Sequence, residues 1–493
     1  MSKHFTQKAV AIFIMAIALF TGCGREYGDT DEFRVLKQSA TPNSKTEVAE
    51  NHTYDLQNGL LTFANEDGTI IWQSDKYWFV DDFQLADVDR DGNIDCLFSL
   101  WKSYSFGREF AADNTDTEAK NHLFLYTIRG GYGKQLWCSS NLPRPIYSFE
   151  ISGDTLTTIE GDYSDTEKSK KAKLTYTWHD WGFVEQSRSV VKTAKVSLTG
   201  DIMLHDNVTR HARTGANSYD FTEMFASIKD FAESRDLFIA NLEGPVDAYG
   251  ENERISEFPR FNFPLEILAA IKNAGINYLI TANNHALDQG FAGVKSTRDG
   301  LIKAKIDFTG TYENEKQYNE YSIIDVNGIK IGVVAWSALD NGMNGGEWAM
   351  RRFNGDTTDD VPQILQDIRQ MKKAGAEFVI IALHWGIEYA DEPTETQREI
   401  ARRLTDGGAD VIYGSHTHCV QPVETVVTQT GRKALIVYSA GNFFASQEVL
   451  DLPKTQRGIV VNFDVQSSEG EAVLSDVWLA DTVCEGYETR ILE

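Results

Sequence analysis

Four of the ten histidines, His285, His384, His416 and His418, lie just after short apolar runs. Carboxylates and carboxamides share that setting. Five motifs carry the pattern: Gly200-Asp201, Asn241-Leu242-Glu243, Asn283-Asn284-His285, His384-Trp385-Gly386, and Gly414-Ser415-His416-Thr417-His418. Each falls at the C-terminal end of a predicted strand, where an open α/β sheet places its ligand site. Imidazole and carboxylate donors without a cysteine cluster suit a pair of divalent ions, Mn, Fe or Zn, and Glu243 can bridge two of them. If extended, His416-Thr417-His418 projects its two imidazoles differently, toward two neighbouring metals. A single histidine of this kind reads as a hydrogen-bonded structural residue; five motifs in register with strand ends outweigh that reading. Metals held this way acidify water and support hydrolysis.

A second pattern of oxygen donors lies nearer the N-terminus, in Asp87-Val88-Asp89-Arg90-Asp91-Gly92-Asn93-Ile94-Asp95. Asp87, Asp89, Asp91, Asn93 and Asp95 alternate around Gly92, which permits the sharp turn that a calcium loop requires. An EF-hand places Glu where Phe98 stands, so helix–loop–helix is excluded. The loop resembles the calcium loops of FG-GAP-type extracellular β repeats, which implies bound Ca; a plain acidic turn is the alternative.

The elements that must position these groups divide the chain. From Thr53 to about Val190 the runs are short and β-like, Leu60 to Phe63, Ile70 to Trp72, Lys76 to Val80, Cys96 to Trp101, His122 to Ile128 and Lys173 to Trp178, with Gly, Asn and Asp between them. This predicts an all-β module over 53–190. Ile71-Trp72-Gln73-Ser74 and Leu136-Trp137-Cys138-Ser139 hint at a repeat, too weak alone to define a propeller. After Thr193 strands and helices alternate, which predicts an α/β domain over 193–493. Val361, Ile364, Leu365, Ile368 and Met371 form a helical stripe leading to the apolar run Phe378 to Leu383. Thr394 and Gln397 make a capping box for a helix that stops at Gly407-Gly408.

The charge is −26, from 47 basic and 73 acidic residues, which argues against a sequence-independent nucleic-acid binder. Lys3 and Lys8 precede an apolar run from Ala9 to Phe20, and small residues then lead to Cys23. Residues 1–23 read as an export signal rather than a buried helix. The exit into Cys23 resembles a bacterial lipobox, which implies lipidation there and anchoring on the outer side of the cell membrane; a plain secretory signal is the alternative. Residues 24–52 read as a polar tether. Export permits disulfides; Cys96 and Cys138, in one region, are candidates, and the pairing of Cys419 and Cys484 is open.

Taken in series, Thr199-Gly200-Asp201-Ile202-Met203-Leu204, Ala240-Asn241-Leu242-Glu243, Ala282-Asn283-Asn284-His285, His384-Trp385-Gly386-Ile387-Glu388-Tyr389, His416-Thr417-His418-Cys419-Val420-Gln421-Pro422 and Tyr438-Ser439-Ala440-Gly441-Asn442-Phe443 resemble the bacterial capsule-synthesis CapA, or poly-γ-glutamate PgsA, family. The resemblance runs from about Lys195 to Phe444. It implies relation to the calcineurin-like metallophosphatases, with a β-sandwich flanked by helices. It also implies Asp201 and His418 at a first metal, His384 and His416 at a second, Glu243 as the bridge, Asn284 as a further ligand, and His285 as the acid beside the leaving group. Two positions depart from the pattern: Met203 stands where the phosphatases have histidine, with His205 two residues on, and Glu243 replaces an aspartate. Asp288 and Glu388 are candidates to orient the ligating imidazoles. Two functions remain open. One is a surface-anchored metal-dependent hydrolase acting on a phosphoester or an amide of a capsular polymer. The other is a non-enzymatic part of polyanion export with a structural or degenerate metal site. The implied partners are an anionic polymer or its precursor, capsule-synthesis or export proteins, and the membrane.

Overall fold

The computed structural model describes residues 43–76, 78–102, 119–164, 171–250, 253–343, 345–447 and 452–492. The chain forms two compact units that divide between Val190 and Val191. Residues 1–23, read above as an export signal ending at Cys23, lie outside the described residues. No helix among the described residues is long and apolar enough to cross a membrane.

The first unit is all β in its described residues. Strands β1 (Ser44–Ala49), β2 (His52–Gln57), β3 (Leu60–Asn65) and β4 (Ile70–Gln73) form one antiparallel meander. A second comprises β5 (Phe79–Ala86), β6 (Asp95–Lys102), β7 (Lys120–Arg129) and β8 (Tyr132–Cys138). Strands β9 (Ile146–Ser152), β10 (Thr155–Glu160) and β11 (Lys171–His179) follow, paired antiparallel in that order. Strand alternation explains the packing: on β6, Cys96, Phe98 and Leu100 face one apolar cluster with Phe63 and Phe83, while Leu97 faces a second with Phe149 and Leu156. The two Trp-containing segments each lie on the last strand of a four-stranded sheet, β4 and β8.

Three expectations for this region need correction. Ser44–Ala49, read as tether, is a strand; its polar residues alternate between exposed and half-buried on a sheet edge, which hides it from hydropathy. The run expected from Lys76 begins as a strand at Phe79 instead. Cys96 and Cys138 are both free: Cys96 opposes Tyr126 on β7 while Cys138 opposes Phe124, so β7 lies between them. Cys419 and Cys484 are free as well.

The second unit is a two-sheet sandwich flanked by helices, as the expected fold class requires. Its first sheet uses β12 (Gly182–Ile202), β13 (Leu237–Leu242), β14 (Tyr278–Ile280) and β15 (Asp307–Thr309) in parallel order. Its second uses β16 (Ser322–Val326), β17 (Ile329–Ser337), β18 (Phe378–His384), β19 (Val411–Ser415), β20 (Val423–Val427) and β21 (Lys433–Val437), in the order 16-17-18-19-21-20. The short β22 (Asn442–Phe444) and the long antiparallel β23 (Arg457–Ser468) pair with successive stretches of β12. β24 (Glu471–Glu485) and β25 (Glu488–Ile491) extend that edge.

Leu198, Ile239, Val333, Ile380, Tyr413 and Val437 fill the space between the sheets. The central strands are buried on both faces, which explains their near-continuous apolar runs. Phe225, Ile228, Ile267 and Leu268 cover the outer face of the first sheet. The stripe of Val361–Lys373 and the buried face of Glu395–Asp406 cover the second. The capping box forms as expected: Gln397 N donates to Thr394 Oγ1 at 3.2 Å and Thr394 N to Gln397 Oε1 at 3.0 Å. The hairpin between β16 and β17 turns through Asn327 and Gly328, both at positive φ; this Asn-Gly pair is a local signal that the reading above does not use.

Candidate metal centre

The five motifs come together at the strand ends. Asp201 closes β12, Glu243 follows β13, Asn284 and His285 follow β14, His384 ends β18, and His416 and His418 follow β19. Close backbone contact fixes the floor. Asp201 N donates to Gly441 O at 3.0 Å, and a Cβ on Gly200 would sit 2.0 Å from that same oxygen. Only glycine permits this approach.

Two groups of donors result. Glu243, His384 and His416 form one; Asp201, Glu243 and His418 form the other, with the donor atoms of each group within 4.8 Å of one another. Glu243 belongs to both. His384 Nε2 lies 3.7 Å, and His418 Nε2 4.0 Å, from Glu243 Oε1. The chain here is not extended: His416 and His418 adopt φ of +99° and +57°. Bulky residues rarely take that conformation unless their surroundings impose it. The bends, rather than strand alternation, send the imidazoles to separate groups.

Asn284 joins through its amide, with Oδ1 3.0 Å from His384 Nε2. His285 stands apart from both groups. Its Nδ1 lies 2.7 Å from Asp288 Oδ2, and its ring packs edge-on against Phe261, centroids 4.6 Å apart. Glu388 is exposed, whereas Trp385 is wholly buried and donates from Nε1 to Tyr438 O. His205 is in neither group; it packs edge-on against Phe261.

Three supporting residues carry no role in the sequence reading. Asn241 Nδ2 donates to Asp201 Oδ1 at 2.8 Å. Ser415 Oγ lies 2.9 Å from His384 Nδ1, because the β18–β19 register sets Ser415 opposite His384. Asn442 Oδ1 lies 3.1 Å from His418 Nδ1. All three sit inside motifs already singled out, but only strand register reveals their partners.

The electrostatics suit cation binding. Glu243 is fully buried and neither of its carboxylate oxygens accepts a hydrogen bond among the described residues. An uncompensated buried carboxylate is costly. Burial, then the nearby Asp201 charge, pushes its pKa well above the usual carboxylate range. Burial holds His384 well below the usual imidazole value, and pushes His416 down to about 3 and His205 to about 4. Neutral imidazoles keep a lone pair for a metal. Donor chemistry, burial and unpartnered oxygens together fit a divalent cation.

In the first unit, Asp87, Asp89 and Asp95 place carboxylate oxygens within 4.8 Å of one another. Asp91 lies outside that group. Asp91 pairs with Arg129 and accepts from Asn93 N and Nδ2. Gly92, at φ +87°, donates to Asp87 Oδ2 at 3.1 Å. Burial pushes Asp95 up to about 6.

Fold and site together define a two-sheet sandwich with a carboxylate–imidazole cluster at its strand ends. The chain belongs to the family described as bacterial capsule synthesis protein PGA_cap, matching it over residues 195–447. It is similar to the capsule biosynthesis protein CapA of Bacillus anthracis, 27% identical over 57% of this chain and 66% of that protein. It is also similar to the PGA biosynthesis protein CapA of Bacillus subtilis, 28% identical over 51% of this chain and 63% of that one. The chain thus spans just under two thirds of the length of these relatives. Among solved structures it aligns with the calcineurin-like phosphoesterase YfkN of Bacillus subtilis, at TM-score 0.34 and 17% identity, covering 61% of this chain and 93% of that one.

Proposed function

We propose that this protein acts in capsule or poly-γ-glutamate synthesis or export through a dinuclear divalent-metal centre of hydrolase type. The observation that carries the reading is Glu243: fully buried, unpartnered at both oxygens, and shared by two donor groups. Asp201 and His418 complete one position, His384 and His416 the other, and Asn284 adds an amide oxygen. Mn, Fe and Zn all suit these donors.

Bound metals acidify water and offset charge developing at a tetrahedral centre. The chain's own residues supply the rest. Asn241 holds Asp201 in place, and the buried walls keep bulk water from the carboxylates. Asp288 holds His285 at Nδ1 and so orients Nε2, which in the doubly protonated ring passes its proton to a departing oxygen or nitrogen. The substrate class is a phosphoester or an amide of an anionic polymer or its precursor. Capsule-synthesis or export proteins are the partners. We read Cys23 as a lipid anchor on the extracytoplasmic face, and the Asp87–Asp95 loop as a calcium site.

A second reading, a structural centre in an export component, is favoured by Met203. It is buried and takes the sequence position to which the resemblance assigns a histidine donor, and the Asp201 group keeps three donors. Metal analysis of the purified protein, with a screen of phosphoesters and γ-glutamyl peptides, separates the two. The hydrolase reading expects His285→Ala to keep its metal and lose turnover. A protein that takes up no transition metal defeats both readings. A wild type that binds metal but hydrolyses nothing, with no capsule phenotype in His285→Ala, leaves the export component. For the anchor, Cys23→Ser is expected to leave the membrane fraction or remain unprocessed.

A further inference from the structure

We infer that Asn442 is a positioning residue for this centre: it fixes the tautomer of His418 so that Nε2 presents its lone pair toward Glu243. The inference rests on reading the centre as a metal site.

Asn442 is fully buried on β22, opposite Asp201 in register. Its amide orientation is determined by its other partners. Nδ2 donates to Thr455 O at 2.8 Å and to Gln447 Oε1 at 3.1 Å. A backbone carbonyl can only accept, so the NH2 group must face Thr455 and Oδ1 must face His418. Oδ1 lies 3.1 Å from His418 Nδ1. A bare nitrogen there would set lone pair against lone pair, so Nδ1 carries the proton. Asp201 Oδ2, 3.5 Å from the same nitrogen, is a second acceptor on that side. With Nδ1 protonated in a neutral ring, Nε2 is left bare, 4.0 Å from Glu243 Oε1. The hydrogen bond made by one ring nitrogen thus decides what the other can bind. The Gly-Asn-Phe segment of the family pattern thereby acquires a task, tied through Thr455 to the turn Pro453–Gln456.

The test is a long-range 1H–15N spectrum of the full chain, metal-free and labelled at histidine, with the His418 signals identified by their loss in His418→Gln. A protonated Nδ1 and bare Nε2 are expected in wild type. A proton on Nε2 overturns the inference. Manganese titration supplies the second measurement. Asn442→Leu is expected to bind about 10–100-fold more weakly and to show an Nε2-protonated population. Asn442→Asp, which keeps the acceptor, is expected to stay within about threefold of wild type. Wild-type affinity in the leucine variant, or equal weakening in both, overturns it. If the leucine variant does not fold, the wild-type spectrum still decides. Because that spectrum needs no metal, a protein with the expected tautomer that takes up no manganese fails the metal reading alone.

Discussion

Asp288 Oδ2 lies 2.7 Å from His285 Nδ1 and also accepts the backbone N–H of Phe261 at 2.8 Å. One buried carboxylate oxygen therefore holds both the imidazole and the segment whose aromatic ring packs against it. Asp288→Ala leaves the Phe261 N–H without its acceptor. It is expected to destabilise the protein by about 1–3 kcal/mol while metal content stays unchanged. Urea unfolding together with elemental analysis checks both halves. A variant that loses metal in proportion to stability would place Asp288 among the ligands instead.

The shared carboxylate makes the two donor groups unequal to mutation. His416→Ala removes a donor from one group only and is expected to lower bound metal from about two per chain to about one. Glu243→Gln removes a donor from both and is expected to lower both occupancies. Inductively coupled plasma analysis of protein passed through the same metal-loading protocol distinguishes them. Equal loss in the two variants contradicts the bridging assignment.

Proton linkage gives a prediction with a definite sign. Burial and the Asp201 charge raise the Glu243 pKa, so below its folded value the group carries a proton that a metal must displace. His384 is held well below the usual value and His416 at about 3, so neither competes for protons near neutrality. Metal affinity is therefore expected to rise with pH, with protons released on binding. Calorimetric titration in two buffers of different ionisation enthalpy measures this. Proton uptake, or none exchanged, would be the wrong sign.

For the acidic loop, millimolar calcium is expected to raise the melting temperature of the full chain. Burial pushes Asp95 up to about 6, and a raised carboxyl must lose its proton to bind. The calcium shift is therefore expected to be larger at pH 8 than at pH 5. Asp95→Asn is expected to abolish it. An equal shift in wild type and in that variant would assign the effect to another part of the chain.

Much of the second unit was legible locally. The Val361–Lys373 stripe and the Thr394–Gln397 capping box are interactions between residues three or four apart, which sequence spacing states directly. The apolar runs of β13, β14, β18 and β19 are visible because strands buried on both faces cannot alternate. Those same runs lead to Glu243, His285, His384 and His416, and the run ending β12 leads to Asp201. The edge strand Ser44–Ala49 was not legible, because a polar edge has little hydropathy to show. Nor was the separation of Cys96 from Cys138, which β7 decides.

Residue type and strand-end placement, then, are properties of the sequence by itself, and they name the donors. Which donor meets which is tertiary. Asn241 reaches Asp201, Ser415 reaches His384 and Asn442 reaches His418 across strand register. His416 and His418 separate because both bend into positive φ. Local patterns are set by neighbours along the chain, whereas these pairings join side chains on different strands. Only the packed sheets fix the distances and the burial that turn Glu243 from one acidic residue among many into an unpartnered buried carboxyl between four other donors.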